Sequence, residues 1–330
     1  MTSTLTSLHR QLFDLPKSTA ELPELDGNAP AWPIFQVPTA DALLAVRRTP
    51  GPGNDAGLAV YVHGLGGSSS NWTDLAGQLS CRVRGLAVDL PGFGGSVPVP
   101  GRAITPRSQA DAVIGLIEAE SPGNAVELFG NSMGGLVSAI VAARRPELVR
   151  SLTLISPAVP DLRPDPHRMS DPRLALAMLP VIGNPVRRRL AELSAEQRTQ
   201  QMLELCFARP ELVSAARRAE AIEETCERMR QPWASAALSS ATLGLLGAWM
   251  RLGPRSVWHL LRAINAPTLV VWGTEDKLVT VAKAVRTARA IPAARLLVLP
   301  DTGHVAQMEE PVAVARAALG MWESAMRGQW

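Results

Sequence analysis

The sequence predicts an α/β fold, a mostly parallel sheet flanked by helices with a helical segment inserted into it. Three observations predict it. Short apolar runs of strand length recur along the chain, helix-length segments separate them, and the alternation lapses between about residues 158 and 264.

Residues 1–40 read as an arm. Leu5, Leu8, Leu12 and Leu15 fall at helical spacing, and Pro16, Pro23, Pro30, Pro33 and Pro38 are then expected to break any regular element, leaving a segment that packs on the body. A first part of the core follows over 41–157 and a second over 265–330. Strands are expected at 43–47, 58–62, 83–88, 125–129, 151–156, 268–272 and 295–299. Several of these runs are continuously apolar rather than alternating, the pattern of strands covered by helices on both faces. Helices are expected at 105–120, 133–145, 281–290 and 311–326. Within the insertion, prolines separate helical candidates at 173–179, 195–207, 211–230 and 235–252.

Composition narrows the function. The 330 residues are 46% hydrophobic and 19% charged, which excludes disorder, collagen and coiled coil and fits one large or two smaller domains. A formal charge of +3 is spread along the chain, with no basic run longer than Arg187 to Arg189, so no nucleic-acid partner is expected. The insertion holds 15 Arg against 11 Asp and Glu, a bias that tolerates an anionic substrate group. Three cysteines, Cys81, Cys206 and Cys226, lack metal-binding spacing and suit a reducing compartment. The first ten residues show no basic start followed by an apolar run, so a cytoplasmic location is expected. The uncharged stretch 232–250 is rich in Ser, Ala, Gly and Thr and reads as a buried helix rather than a membrane span.

The chemistry is concentrated in four places. The strand at 125–129 runs into Gly130-Asn131-Ser132-Met133-Gly134-Gly135, and an apolar helix follows, which is G-x-S-x-G in a strand–turn–helix context. A turn sharp enough to expose a hydroxyl at a helix start crowds the residues two before and two after it, so both must lack a Cβ. A base is available in His304, just past the last strand, where α/β sheets place functional groups. An acid is available in Asp276, in the loop after the preceding strand, with Glu275 and Asp301 as competitors. The order Ser132, Asp276, His304 is the one expected when nucleophile, acid and base are carried on such a sheet. Fourth, the strand at 58–62 ends in His63-Gly64-Leu65-Gly66-Gly67, where glycines let main-chain amides face a developing oxyanion. The expected donors are the amides of Leu65 and Met133. The loop lacks both nucleotide-binding glycine patterns, so phosphate cradling is excluded. His63 and Asp89 are expected to brace their loops.

These residues together resemble the α/β-hydrolase superfamily over about 55–157 and 265–326. The resemblance rests on the His63-Gly64 loop, Asp89-x-x-Gly92-x-Gly94-x-Ser96, the 130–135 elbow, Trp272-Gly273-x-x-Asp276 and Gly303-His304. It implies a helical cap at 158–264 and the assignment of Ser132, His304 and Asp276 as nucleophile, base and acid. A serine at the elbow separates the chain from the aspartate-nucleophile branches, the haloalkane dehalogenases and epoxide hydrolases. The elbow is similar to those of carboxylesterases and lipases and to those of meta-cleavage-product C–C hydrolases. Val305, where the latter family usually carries Trp, and an oxyanion loop without a Gly-Pro-Gly-like stretch depart from that second family.

The expected activity is therefore hydrolysis of a small-molecule carboxylic ester with a medium-chain or lipid-like acyl group through an acyl-enzyme on Ser132, with no metal or organic cofactor required. C–C hydrolysis or acyl transfer on the same residues is the alternative. Trp233, Trp249 and Met250 are expected to line the substrate pocket, the rival reading being that they are core of the helical layer. The segment 238–250 is the candidate for a substrate channel or a membrane-touching lid.

Overall fold

The computed structural model describes residues 12–53, 55–161 and 193–330. The expectations at Leu5, Leu8, the helix at 173–179 and Arg187 to Arg189 lie outside the described residues. Eight strands, β1 (Ile34–Pro38), β2 (Leu43–Thr49), β3 (Leu58–Val62), β4 (Arg84–Val88), β5 (Val126–Asn131), β6 (Val149–Ile155), β7 (Thr268–Gly273) and β8 (Ala294–Leu299), form one sheet. Their spatial order is β1-β2-β4-β3-β5-β6-β7-β8. β1 with β2 and β2 with β4 pair antiparallel, and every pair from β4 to β8 is parallel.

The continuously apolar runs are the central strands, as their pattern requires. Every residue of β3, β5 and β7 is buried. Helices cover both faces. In chain order the described helices are α1 (Thr73–Leu79), α2 (Pro106–Glu120), α3 (Met133–Arg144), α4 (Ala195–Cys206), α5 (Ala215–Arg230), α6 (Ala234–Trp249), α7 (Val257–Arg262), α8 (Ala284–Ala290), α9 (Ala306–Glu309) and α10 (Pro311–Met326). One core layer joins α2, α3, α7 and α8 to the sheet through residues such as Val113, Val137, Leu261 and Ala288. The other joins α1 and α10 to the opposite face through Leu75, Leu79, Val314 and Met321.

Two expectations are corrected. The prolines of the arm do not exclude regular structure, since β1 forms between Pro33 and Pro38. It is an edge strand with four of its five residues exposed, and an edge tolerates a residue that cannot donate to the ladder. The rest of the described arm packs on the body: the Ser18 amide donates to the Arg316 carbonyl, the Arg316 guanidinium donates to the Ser18 carbonyl, and Trp32 donates to the Thr73 carbonyl at 2.9 Å. The stretch 232–250 is not a buried helix throughout. α6 buries Ala237, Ala241 and Leu245 at helical spacing and exposes its opposite face, because only one side of it meets the core.

The topology fixes where a site can form. From β3 the chain crosses to β4 on one side, whereas β5 pairs with β3 on the other, so the strand order reverses between β3 and β5. The carboxyl ends of these strands open a crevice at that switch point, and the loops after β7 and β8 leave from the same end of the parallel sheet. The chain between β6 and β7 supplies α4 to α7. α6 is seated closely there: a Cβ on Gly244 would lie 2.7 Å from the Ile104 carbonyl, and Ile104 donates its amide to the Ser240 hydroxyl at 3.1 Å.

Candidate active site

β5 ends at Asn131, and α3 begins at Met133, so Ser132 makes the whole turn. Its φ of 53° and ψ of −119° place it in a strained region that non-glycine residues rarely occupy. The flanking glycines are required by contact. A Cβ on Gly130 would lie 2.4 Å from the Gly134 carbonyl oxygen, and one on Gly134 would lie 2.1 Å from that of Val62 and 2.4 Å from that of His63. The elbow is thus wedged against the end of β3. Met133 opens α3, so its amide has no carbonyl of its own helix to meet and points out of the helix start.

The loops after β7 and β8 bring Asp276 and His304 together. His304 Nδ1 lies 2.9 Å and 3.0 Å from the two carboxylate oxygens of Asp276, and both residues are buried. A carboxylate only accepts, so Nδ1 carries the proton and Nε2 presents its lone pair. Nε2 is itself buried and meets no hydrogen-bond partner among the described residues. Asp276 is fixed in turn by the amides of Leu278 and Val279, each donating to Oδ1 at 2.9 Å. The competitors do neither. Glu275 and Asp301 are exposed, the first paired with the Thr274 hydroxyl and the second occupying a turn at φ 49°.

Asn131 links the two halves of the site. Its side-chain amide donates to the carbonyls of Ile155 at 3.1 Å and His304 at 3.0 Å, tying the elbow to the histidine loop. Glu309 adds a second clamp, accepting from the amides of Gly303 at 2.7 Å and Ala208 at 2.8 Å, while the His304 amide donates to the Cys206 carbonyl at 2.7 Å. Burial holds the Glu309 carboxyl above the usual range. Neither role was visible in the sequence, since Asn131 sits at an unconstrained position of the elbow pattern and nothing marks Glu309. Burial, with the Asp276 charge added, pushes the Cys206 thiol up to about 12, so it stays protonated.

The glycine loop after β3 abuts the serine. A Cβ on Gly64 would lie 3.1 Å from that of Ser132, and a turn closed by Gly67 on the Gly64 carbonyl carries Leu65 at its first corner. His63 braces the loop, as expected: Nδ1 donates to the Gly64 carbonyl at 2.7 Å, and Nε2 accepts from the Leu90 amide at 3.0 Å. Burial holds its pKa below 6.5, in keeping with a neutral ring. Asp89 braces it too, accepting from Ser69 at 2.6 Å and Gly95 at 2.8 Å. From α5, Glu224 accepts from the Ser68 hydroxyl at 2.8 Å, with a carboxyl that burial holds above its usual range.

The residues expected to line a pocket separate. Trp249 is half-buried and donates its indole N–H to the Ala158 carbonyl at 2.9 Å, and the Ala158 amide donates to the Ser132 carbonyl at 2.9 Å. Trp233 is half-buried against the core. Met250 is 67% exposed, and the structure does not bring it into that layer. Among the described residues no group of three or more His, Cys, Asp or Glu is placed to hold a metal ion, and no helix is long and apolar enough to cross a membrane.

A family model described as alpha/beta hydrolase fold matches residues 60–311. The acetyltransferase component of an acetoin cleaving system from Pseudomonas putida is 32% identical over 252 residues, 76% of this chain and 59% of that protein. The chain spans about three fifths of the length of that relative and of its counterpart in Cupriavidus necator. Lipase 3 of Moraxella sp. (strain TA144) is 25% identical over 76% of this chain and 72% of its own. A 2-hydroxy-6-oxononadienedioate/2-hydroxy-6-oxononatrienedioate hydrolase from Pseudomonas sp. is 26% identical, covering 78% of this chain and 86% of its own. Among solved structures, a bacterial membrane phospholipase A superposes with a TM-score of 0.72 at 22% identity, covering 98% of this chain and 91% of the other, a likeness of fold.

Proposed function

The chain belongs to the α/β-hydrolase family, and from that premise we propose that it is a serine hydrolase of carboxylic esters with a medium-chain or lipid-like acyl group. Ser132 Oγ attacks the ester carbonyl while His304 Nε2 takes its proton. Asp276 holds the imidazole in the tautomer that leaves Nε2 free to accept, and stabilises the imidazolium that forms. The tetrahedral oxyanion is met by the amides of Leu65 and Met133. His304 returns the proton to the departing alcohol and then activates a water that cleaves the acyl-enzyme. The helices between β6 and β7 act as a cap, with Trp233 and Trp249 on its inner side.

The observation that supports this reading most is the buried Asp276–His304 pair with an unpartnered Nε2, tied by Asn131 to the strained Ser132 turn. Lipase 3 as a relative supports the ester as the bond cleaved. The dienedioate hydrolase keeps C–C hydrolysis as the second reading. A series of p-nitrophenyl esters from C2 to C16, assayed on the wild type and Ser132→Ala, tests the proposal. A maximum of kcat/KM at one chain length, lost in the variant, supports it. Turnover of a vinylogous diketone with none of the esters replaces it with the second reading.

A further inference from the structure

The outer face of α6 is unlike any solvent face expected of a soluble helix. None of its sixteen residues is Asp, Glu, Lys or Arg. Its inner side is occupied, by the core through Ala237, Ala241 and Leu245 and by the glycine loop, where Leu238 lies 3.8 Å from the Cβ position of Gly66. The opposite stripe, Ala236, Ser239, Leu243, Leu246 and then Met250, recurs at helical spacing and is exposed. Leu243 and Met250 are each 67% exposed, and Leu252, just beyond, is 84% exposed. A solvent-facing stripe ordinarily carries charge, as α5, also of sixteen residues, does along its length.

The charge that follows this face along the chain has one sign. Between Glu227 and Glu275 the chain contains no acidic residue, while Arg251, Arg255 and Arg262 are all exposed. Among the described residues Arg251 and Arg255 enter no ion pair. An apolar helical stripe that ends in exposed arginines matches a surface with acyl chains below and phosphates above. Self-association is a poorer match, because neither α6 nor the chain from it to Glu275 offers an acid to pair with these arginines across a two-fold contact.

We propose that the exposed face of α6, with Arg251 and Arg255, docks on an anionic lipid surface. Leu243, Leu246 and Leu252 enter the boundary between headgroups and acyl chains, and the two guanidinium groups meet lipid phosphates. Docking does not depend on the hydrolase reading. Its consequence does: with α6 lying between the lipid and the glycine loop, the candidate site would open at the surface that holds lipid-like esters.

The test is partitioning of the full chain onto vesicles of phosphatidylcholine alone and of phosphatidylcholine with phosphatidylglycerol, at low and high salt. Binding should require the anionic lipid and weaken with salt. Arg251→Ala with Arg255→Ala should lower the partition coefficient about 25-fold, about fivefold for each charge. Leu243→Ser with Leu246→Ser should lower it by on the order of tenfold or more. Both variants should keep the wild-type circular dichroism and, if the hydrolase reading holds, wild-type turnover of a soluble short-chain ester. Equal partitioning of wild type and variants, or no partitioning at all, would overturn the proposal. So would a concentration-dependent dimer in sedimentation velocity that the leucine variant abolishes. Because vesicle binding is read without catalysis, absence of ester turnover would refute the hydrolase reading and leave this one standing.

Discussion

Replacing Asp276 by Asn isolates the contribution of a single atom. In the native protein Oδ1 receives the amides of Leu278 and Val279 as well as sharing the His304 Nδ1 proton with Oδ2. Asparagine offers one carbonyl oxygen and one NH2 group. The two backbone donors hold the oxygen in the Oδ1 position, so the NH2 takes the Oδ2 position, 2.9 Å from Nδ1. A donor would then face a donor, and the conflict is relieved when the imidazole moves its proton to Nε2 and Nδ1 accepts from the NH2; a proton kept on Nδ1 would have to turn to the oxygen 3.0 Å away, which already holds two backbone amides. In that tautomer Nε2 cannot accept the Ser132 proton. If the proposed roles hold, the expected loss is about 10⁴-fold in kcat, the cost of this substitution in a serine–histidine–aspartate triad, equivalent to about 5.4 kcal/mol at about 1.36 kcal/mol per factor of ten. The assay is kcat for a soluble p-nitrophenyl ester, with folding followed by circular dichroism. A folded Asp276→Asn protein with kcat within tenfold of the wild type would refute the reasoning.

Three further outcomes follow from the same geometry. Gly134→Ala places a Cβ 2.1 Å from a backbone oxygen that cannot move aside; denaturant unfolding should show a loss of about 3 kcal/mol, and stability within 0.5 kcal/mol of the wild type would contradict the packing of the elbow. His63 has its pKa depressed below 6.5 by burial, so the folded protein resists a proton that the unfolded chain accepts. Its contribution is complete above pH 6.5 and drains away as pH falls towards the folded value, at up to about 1.4 kcal/mol per pH unit. Urea unfolding of His63→Gln should lack that slope relative to the wild type, whereas the raised carboxyls of Glu224 and Glu309 slope the other way in both proteins. Glu309→Ala leaves the Gly303 and Ala208 amides without their acceptor; about 2 kcal/mol of stability should be lost, with kcat reduced through the neighbouring His304, and an unchanged kcat would show that the clamp is structural alone.

Where the sequence was legible, a residue type had a single physical use. The unbroken apolar runs of β3, β5 and β7 fit only strands covered on both faces, and Gly130 and Gly134 fit only a turn without room for a Cβ. Legibility failed where the outcome depended on what lay opposite in space. β1 was hidden because prolines are excluded from central strands but not from an edge, and nothing local says which a segment will be. The half-turns and short helices α1, α7 and α9 carry too few residues to display a period. Asn131 could be placed beside the serine, but not against the carbonyl of a residue 173 positions away. Met250 was expected inside because the stretch around it is uncharged; the apolar face of α6 turned out to have two sides, only one of them covered.

The proposed function stands on Ser132 as the nucleophile of an acyl-transfer reaction. Intact-mass spectrometry after treatment with a fluorophosphonate, followed by peptide mapping, tests it most directly. One phosphonyl adduct, mapped to Ser132, absent from Ser132→Ala and strongly slowed in Asp276→Asn, is the predicted result. An adduct on another residue, or none on a folded wild-type protein, would contradict it.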